Sequence, residues 1–210
     1  MPSGLYVKGG LGQIQIDENY RNVALMTTGS VFLPAEYGEV VVAVPGSIAM
    51  VGFRCEKWIY VHETQLAGGV LRYFIRNGEP GAGAPVQFFG FGVPAGGGTS
   101  GVEVMDGSGQ QVFHSDFSYW NYHAILTSQG GNEIDYTAPF APLVVQLGQS
   151  TYISMYNEAD AYISTTHFRT IGNRTQTWKV AGVVGGNYPG NYTFGEDGAT
   201  LLLLDSSRIY

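Results

Sequence analysis

Apolar and polar positions exchange every second residue along short stretches of this chain, and turn residues close each stretch. Residues 70–76 place Leu71, Tyr73 and Ile75 on one face, with Arg72 and Arg76 on the other. Residues 150–156 alternate in the same way. Other stretches are apolar throughout and predict buried strands: residues 39–44, closed by Pro45-Gly46, and residues 199–204, which contain four consecutive leucines. Residues 47–53 follow 39–44 closely enough to predict a hairpin between them. Residues 57–62, 162–168 and 176–184 complete the main strands. Asn77-Gly78 is a turn signal that ends residues 70–76. Residues 85–93, aromatic and glycine-bearing, predict a bend or bulge. No window of 11 residues keeps a helical apolar stripe free of Gly and Pro. About fifteen short strands at this spacing predict an all-β fold, an antiparallel β-sandwich with almost no helix.

One pattern occurs twice. Aligning Gly4 with Gly101 pairs Val7 with Val104, Gly10 with Gly107, Gly12 with Gly109 and Gln13 with Gln110, five identities in ten positions. Each copy reads strand, glycine turn, strand, and each turn is expected to need positive φ at two places, Gly10 and Gly12 or Gly107 and Gly109. The repeat predicts two related β-sandwich modules, residues 1–98 and 99–210, meeting at the glycine-rich residues 94–101. One single large sandwich that uses the hairpin twice is the alternative.

Composition narrows the function. Charged residues are 13 % of the chain, about half the usual share of roughly 25 %. Glycines number 31 among 210 residues, about twice the usual share of roughly 7 %. So little charge suits a surface partly covered by other chains. The net charge of −7 and the lack of any Lys/Arg cluster argue against a nucleic-acid partner. Cys55 is the only cysteine, which excludes an intrachain disulfide and predicts a small buried thiol. No apolar run reaches the ~20 residues of a membrane span, so no membrane insertion is expected. The opening residues lack the pattern of a signal peptide, so synthesis in a cytoplasm is expected.

The candidate chemistry points to contact rather than catalysis. The run Gly9-Gly-Leu-Gly12 has no helix after it to cradle a phosphate. His62, His114, His123 and His167 show no ligand spacing, so no metal and no cofactor is expected. His114 and Asp116, two apart, would share a strand face as an acid–base pair or, more simply, as a hydrogen-bonded strand end. No Gly-x-Ser-x-Gly elbow occurs. The scattered acids, Asp106, Asp116 and Asp135 among them, are read as solvated, which leaves a glycan hydrolase as a distant alternative. The acidic loop at 157–160 leaves open whether a Ca²⁺ is bound. Aromatic and small polar residues concentrate in two loops, which makes Tyr119, Trp120, Tyr122, Tyr188 and Tyr192 the candidate contact residues. Tyr and Trp also stack on sugar rings.

The opening residues 3–17, SGLYVKGGLGQIQID, resemble those of small tail proteins of tailed bacteriophages: a Gly, a short strand, a Gly turn, a second strand and an Asp. The ending LLDSSRIY, residues 203–210, is similar to theirs as well. The resemblance covers about a fifth of the chain. It implies an all-β virion structural protein of the tail tip or tail fibre region. It also implies a homo-oligomer, with a trimer favoured, that binds other tail proteins and has host surface glycan or protein as a further contact. It carries no catalytic residue. The second copy of the hairpin departs from that pattern. A stand-alone carbohydrate-binding sandwich is the rival reading.

Overall fold

Seventeen strands form among the described residues of the computed structural model, and no helix does. The structure describes residues 7–8, 14–16, 23–94, 101–119, 122–127, 134–147, 151–155, 160–185 and 200–205. In chain order the strands are β1 Val7–Lys8, β2 Ile14–Ile16, β3 Ala24–Leu33, β4 Glu39–Pro45, β5 Ile48–Arg54 and β6 Ile59–Ala67. β7 Val70–Asn77, β8 Ala84–Gly92, β9 Glu103–Met105, β10 Gln111–His114, β11 Tyr122–Thr127 and β12 Asp135–Thr137 follow. β13 Pro142–Leu147, β14 Thr151–Met155, β15 Asp160–Ile171, β16 Arg174–Gly185 and β17 Thr200–Asp205 complete the chain. Every strand pair is antiparallel, as the alternating pattern predicts. One sheet has six strands in the order β11-β17-β13-β5-β8-β3. The other has seven, β12-β16-β15-β6-β7-β4, with β14 paired to β15.

The two sheets face each other as a sandwich across one apolar cluster. Leu33, Val51, Phe53, Val86, Val144, Leu201 and Leu203 enter it from the six-stranded sheet, and Val42, Val44, Ile59, Ile75 and Phe168 from the seven-stranded one. The leucine run of β17 is buried on both sides. Leu201 and Leu203 point into the sandwich, while Leu202 and Leu204 join a second cluster with Phe89, Phe91, Leu143 and Val145 on the sheet's other face. A run with no polar member suits a strand covered on both faces.

Each sheet has a seam. β13 meets β5 at a single register pair, Val144 with Phe53, and β15 meets β6 at another, Phe168 with Ile59. Strands on one side of both seams come from residues before 98 and strands on the other from residues after 99, yet one core cluster spans the two sets. Side chains staple the seams. Arg54 donates to the carbonyl of Ala141 at 2.8 Å. The Cys55 N–H donates to Thr170 Oγ1 at 3.2 Å, and the Thr170 N–H returns a bond of 2.7 Å to the Cys55 carbonyl. Gln146, on β13, accepts from the Val61 N–H and donates to the Val61 carbonyl, both at 3.2 Å. Its amide thus stands where a neighbouring strand's peptide would. Gln146→Ala removes this bridge between the sheets and is expected to cost about 1–2 kcal/mol, read from urea denaturation of the two proteins.

Three expectations change. Residues 39–44 and 47–53 do not pair: β4 pairs with β7 in one sheet, and β5 with β8 and β13 in the other. The Pro45-Gly46 corner is an arch between sheets, because Val42 and Val44 face Val51 and Phe53 through their side chains across the core. The Gly46 N–H donates to the Gly69 carbonyl at 2.7 Å, which fixes that corner. The turn after β9 needs positive φ once, not twice. Gly109 has φ 78°, whereas Gly107 is not among the positive-φ residues. Asp106 explains why one suffices: its carboxylate accepts from the Ser108 and Gln110 N–H groups, and its carbonyl accepts from Gly109 at 3.0 Å, giving a type I turn closed by one left-handed glycine. Gly10 and Gly12 lie outside the described residues, between the paired β1 and β2. Third, Asp116 does not share a strand face with His114, because β10 ends at His114 and the chain turns.

Candidate functional site

The outer face of the seven-stranded sheet gathers a row of aromatic rings outside the core. Its origin is the alternation of residues 58–62: Ile59 and Val61 turn inward, and Trp58 and Tyr60 turn outward. Register then lines up residues that are far apart in sequence. Glu39 sits opposite Arg76, and Arg76 opposite Tyr60. Tyr60 stacks on His167 with ring centroids 4.6 Å apart and planes 7° apart. His167 is opposite Trp178 across β15 and β16, and its ring meets the indole edge-on at 5.9 Å. A second row runs beside the first. The Arg169 guanidinium lies 4.3 Å over the Trp58 ring, and Arg169 pairs with Gln176, which pairs with Asp135. Trp58 and Trp178 join the rows at 5.7 Å.

The same alternation puts His62 on this face, at a bulge in β6 between Val61 and Glu63. Its Nε2 lies 2.5 Å from Glu39 Oε2, and Arg76 Nε donates to the same oxygen at 2.9 Å. These bonds, Arg76 first, hold the Glu39 carboxyl below its ordinary range. At the far end Arg174 clasps Asp135 through two guanidinium nitrogens and likewise holds its carboxyl low. His167 is the opposite case. It is 5 % exposed, its Nδ1 has no hydrogen-bond partner among the described residues, and burial pushes its pKa down to about 4. It is therefore a neutral ring at pH 7 and serves as the flat floor between Tyr60 and Trp178.

The seams open two cavities. One, of about 440 Å³, is bounded by Met50 and Phe53 of β5, His62 to Thr64 of β6, and Gln146. The other, of about 310 Å³, lies at the opposite end beside Arg54, Cys55 and Thr170. Cys55 is buried, and desolvation raises its thiol to about 11, which fits the predicted inert packing role. Among the described residues no group of three His, Cys, Asp or Glu side chains is placed to hold a metal ion. Within them, no helix is long and apolar enough to cross a membrane.

Of the residues singled out from sequence, the two described ones, Tyr119 and Tyr122, lie elsewhere. Tyr119 packs inside its own loop: its ring stacks on Phe113 at 5.0 Å, and its hydroxyl accepts the His114 N–H at 2.6 Å. Burial raises its pKa accordingly. Tyr122 opens β11 opposite Leu204. Trp120, Tyr188, Tyr192 and residues 157–159 lie outside the described residues. His114 is a buried strand end whose Nδ1 accepts the Asp116 N–H at 3.2 Å. The outer-face row has no loop signal, because it is assembled by pairing of strands far apart in sequence. Its signal was present in residues 57–62, KWIYVH, where every second residue is aromatic.

Fold and face together define an all-β antiparallel sandwich that carries an aromatic outer sheet face. The chain matches no protein-family model, no curated protein and no solved structure.

Proposed function

We infer that the chain is a structural protein of a bacteriophage virion, placed at the tail tip or tail fibre region, which assembles with copies of itself and with other tail proteins. One observation supports this reading most. β3 forms one edge of the six-stranded sheet, runs ten residues and carries no charge. Met26 and Phe32 on it are 44 % and 66 % exposed. Among the described residues its outer side is met only at the start, where the Leu25 N–H donates to the Ser118 carbonyl and Ala24 bridges Tyr119. A long uncharged edge is a template for a strand of another chain, and isolated sandwiches usually blunt such an edge with Lys, Pro or a cover. Ile125, on β11 at the other edge, is 55 % exposed. Low overall charge agrees with burial in an assembly. In this reading the role is passive contact between chains.

Native mass by light scattering tests this, with co-sedimentation on phage particles beside it. The expected result is a stable oligomer, a trimer first, that pellets with virions. Phe32→Lys on the edge is expected to shift the mass toward the monomer. A wild-type monomer that ignores particles refutes the reading and favours the stand-alone carbohydrate-binding protein, for which the outer-face aromatics speak.

A further inference from the structure

The row of rings and planar polar groups around Trp178 has a chemistry of its own. Trp178 lies mid-strand on β16 yet is 37 % exposed, and it leans on Trp58 with planes 56° apart. One face of Trp58 is already taken by Arg169, which leaves Trp178 as the open ring. Beside it runs a chain of bonded polar groups. Arg169 Nε donates to Gln176 Oε1 at 3.0 Å. Gln176 Nε2 donates to Asp135 Oδ2 at 3.3 Å. Arg174 Nε donates to Asp135 Oδ1 at 2.6 Å. Each of these groups keeps spare donors or lone pairs. All are held in place before any ligand arrives, so little ordering remains for binding to cost.

We propose that this face binds a pyranose oligosaccharide, with a sugar ring stacked on Trp178 and its hydroxyls bonded by Asp135, Arg174 and Gln176. A pyranose offers both surfaces that the patch matches: an apolar C–H face for a π system and a rim of hydroxyls for planar donors and acceptors. The centre of a protein–protein interface is a worse match, since such centres are depleted of acidic residues, whereas here Asp135 anchors the bonded polar chain. A nucleic-acid strand would also stack on the ring. The chain's net charge of −7, with Asp135 inside the patch, opposes its phosphates. The inference extends the contact role of the proposed function to a ligand class, but it does not require the chain to be an oligomer.

The test uses the full chain on a printed panel of neutral and acidic hexopyranose oligosaccharides and bacterial surface polysaccharide fragments, with single-stranded DNA spots included. Binders are then titrated by tryptophan fluorescence. The intact protein is expected to bind one sugar class. Trp178→Ala is expected to weaken it at least tenfold, with some loss of stability because the indole also covers His167. Gln176→Ala and Asp135→Asn are expected to weaken it severalfold with melting curves close to wild type, since Asp135 is exposed and Gln176 half-exposed. Phe32→Ser, on the other sheet, is expected to leave sugar binding unchanged while altering the oligomer mass, so the two readings fail separately. No sugar bound by the intact protein, or equal binding by all three patch variants, overturns the proposal. Binding to the DNA spots in place of sugars, lost in Trp178→Ala, overturns it in favour of base stacking.

Discussion

Gly78→Ala is expected to destabilise the protein by about 3 kcal/mol or more, at the upper end for overpacking. A Cβ at this position would stand 2.3 Å from His167 Nδ1 and 2.9 Å from two further ring carbons. Neither side has room to yield. The Gly78 N–H is tied to the Trp58 carbonyl at 2.7 Å. The imidazole is held between Tyr60 on its face and Trp178 at its edge. Backbone strain is not the cause, since Gly78 is not among the positive-φ glycines. Asn77 holds the chain from the other side: its side chain donates to the Pro34 carbonyl at 3.1 Å and accepts the Glu79 N–H at 3.2 Å. Thermal unfolding measures the effect, with a fall of about 2–4 °C expected per kcal/mol for a chain of this size. Adding His167→Ala should restore part of the loss, because the new methyl would occupy the space the ring vacates. The two substitutions are therefore expected to be strongly non-additive. A Gly78→Ala protein as stable as wild type would mean that His167 is not seated beneath this turn.

Acid is expected to weaken the fold through the same ring. In the unfolded chain His167 titrates near 6.5, and in the folded protein near 4, because burial disfavours the cation. Between those values the unfolded state binds more protons, so stability falls as pH falls. Above pH 6.5 the ring is neutral in both states and contributes no pH dependence. From 6.5 down to about 4 the loss accumulates to about 3 kcal/mol, at 1.36 kcal/mol per pH unit. The neighbours reinforce the sign: Tyr60 and Trp178 cover the ring without offering it a negative charge, and Arg169 stands on the same strand face. His167→Phe keeps a flat ring for Tyr60 and removes the proton site. It is expected to flatten the urea midpoint between pH 6.5 and 4 while leaving stability at pH 7 within about 1 kcal/mol. A wild-type midpoint that does not change over that range, or one that changes equally in His167→Phe, contradicts this role.

Both predictions concern a residue that the sequence left as one of three histidines without a role. His167 has no motif around it. What gives it a role is register: one ladder pair, Phe168 with Ile59, sets Tyr60 over its ring, and the β15–β16 hairpin brings Trp178 to its edge. Such a pairing between strands about a hundred residues apart has no local signal. The outward alternation of Trp58 and Tyr60 was readable, because period two is a property of each strand alone. The four leucines of β17 were readable for the same reason, as a run with no polar member must be covered on both faces.

The sequence by itself determined the all-β class, the antiparallel strands, the absence of helix from the described residues, the buried thiol and most strand positions. These follow from side-chain alternation, glycine and proline placement, and propensity, all of which act over a few residues. It also marked the Asp106 turn, although a carboxylate cap replaced one of the two glycine conformations expected there. Only the tertiary structure decided that the Pro45-Gly46 corner passes between sheets rather than closing a hairpin, since the apolar faces of β4 and β5 could be satisfied either side by side or across a core. It alone decided that the two sets of strands touch at one ladder pair per sheet while sharing a core, and that Gln146 bridges them. It also lined up a second candidate contact surface on a sheet face, beside the loops read from sequence. The physical reason is common to all three: pairing and packing energies depend on which distant segments meet, and alternation is satisfied equally well by several such meetings.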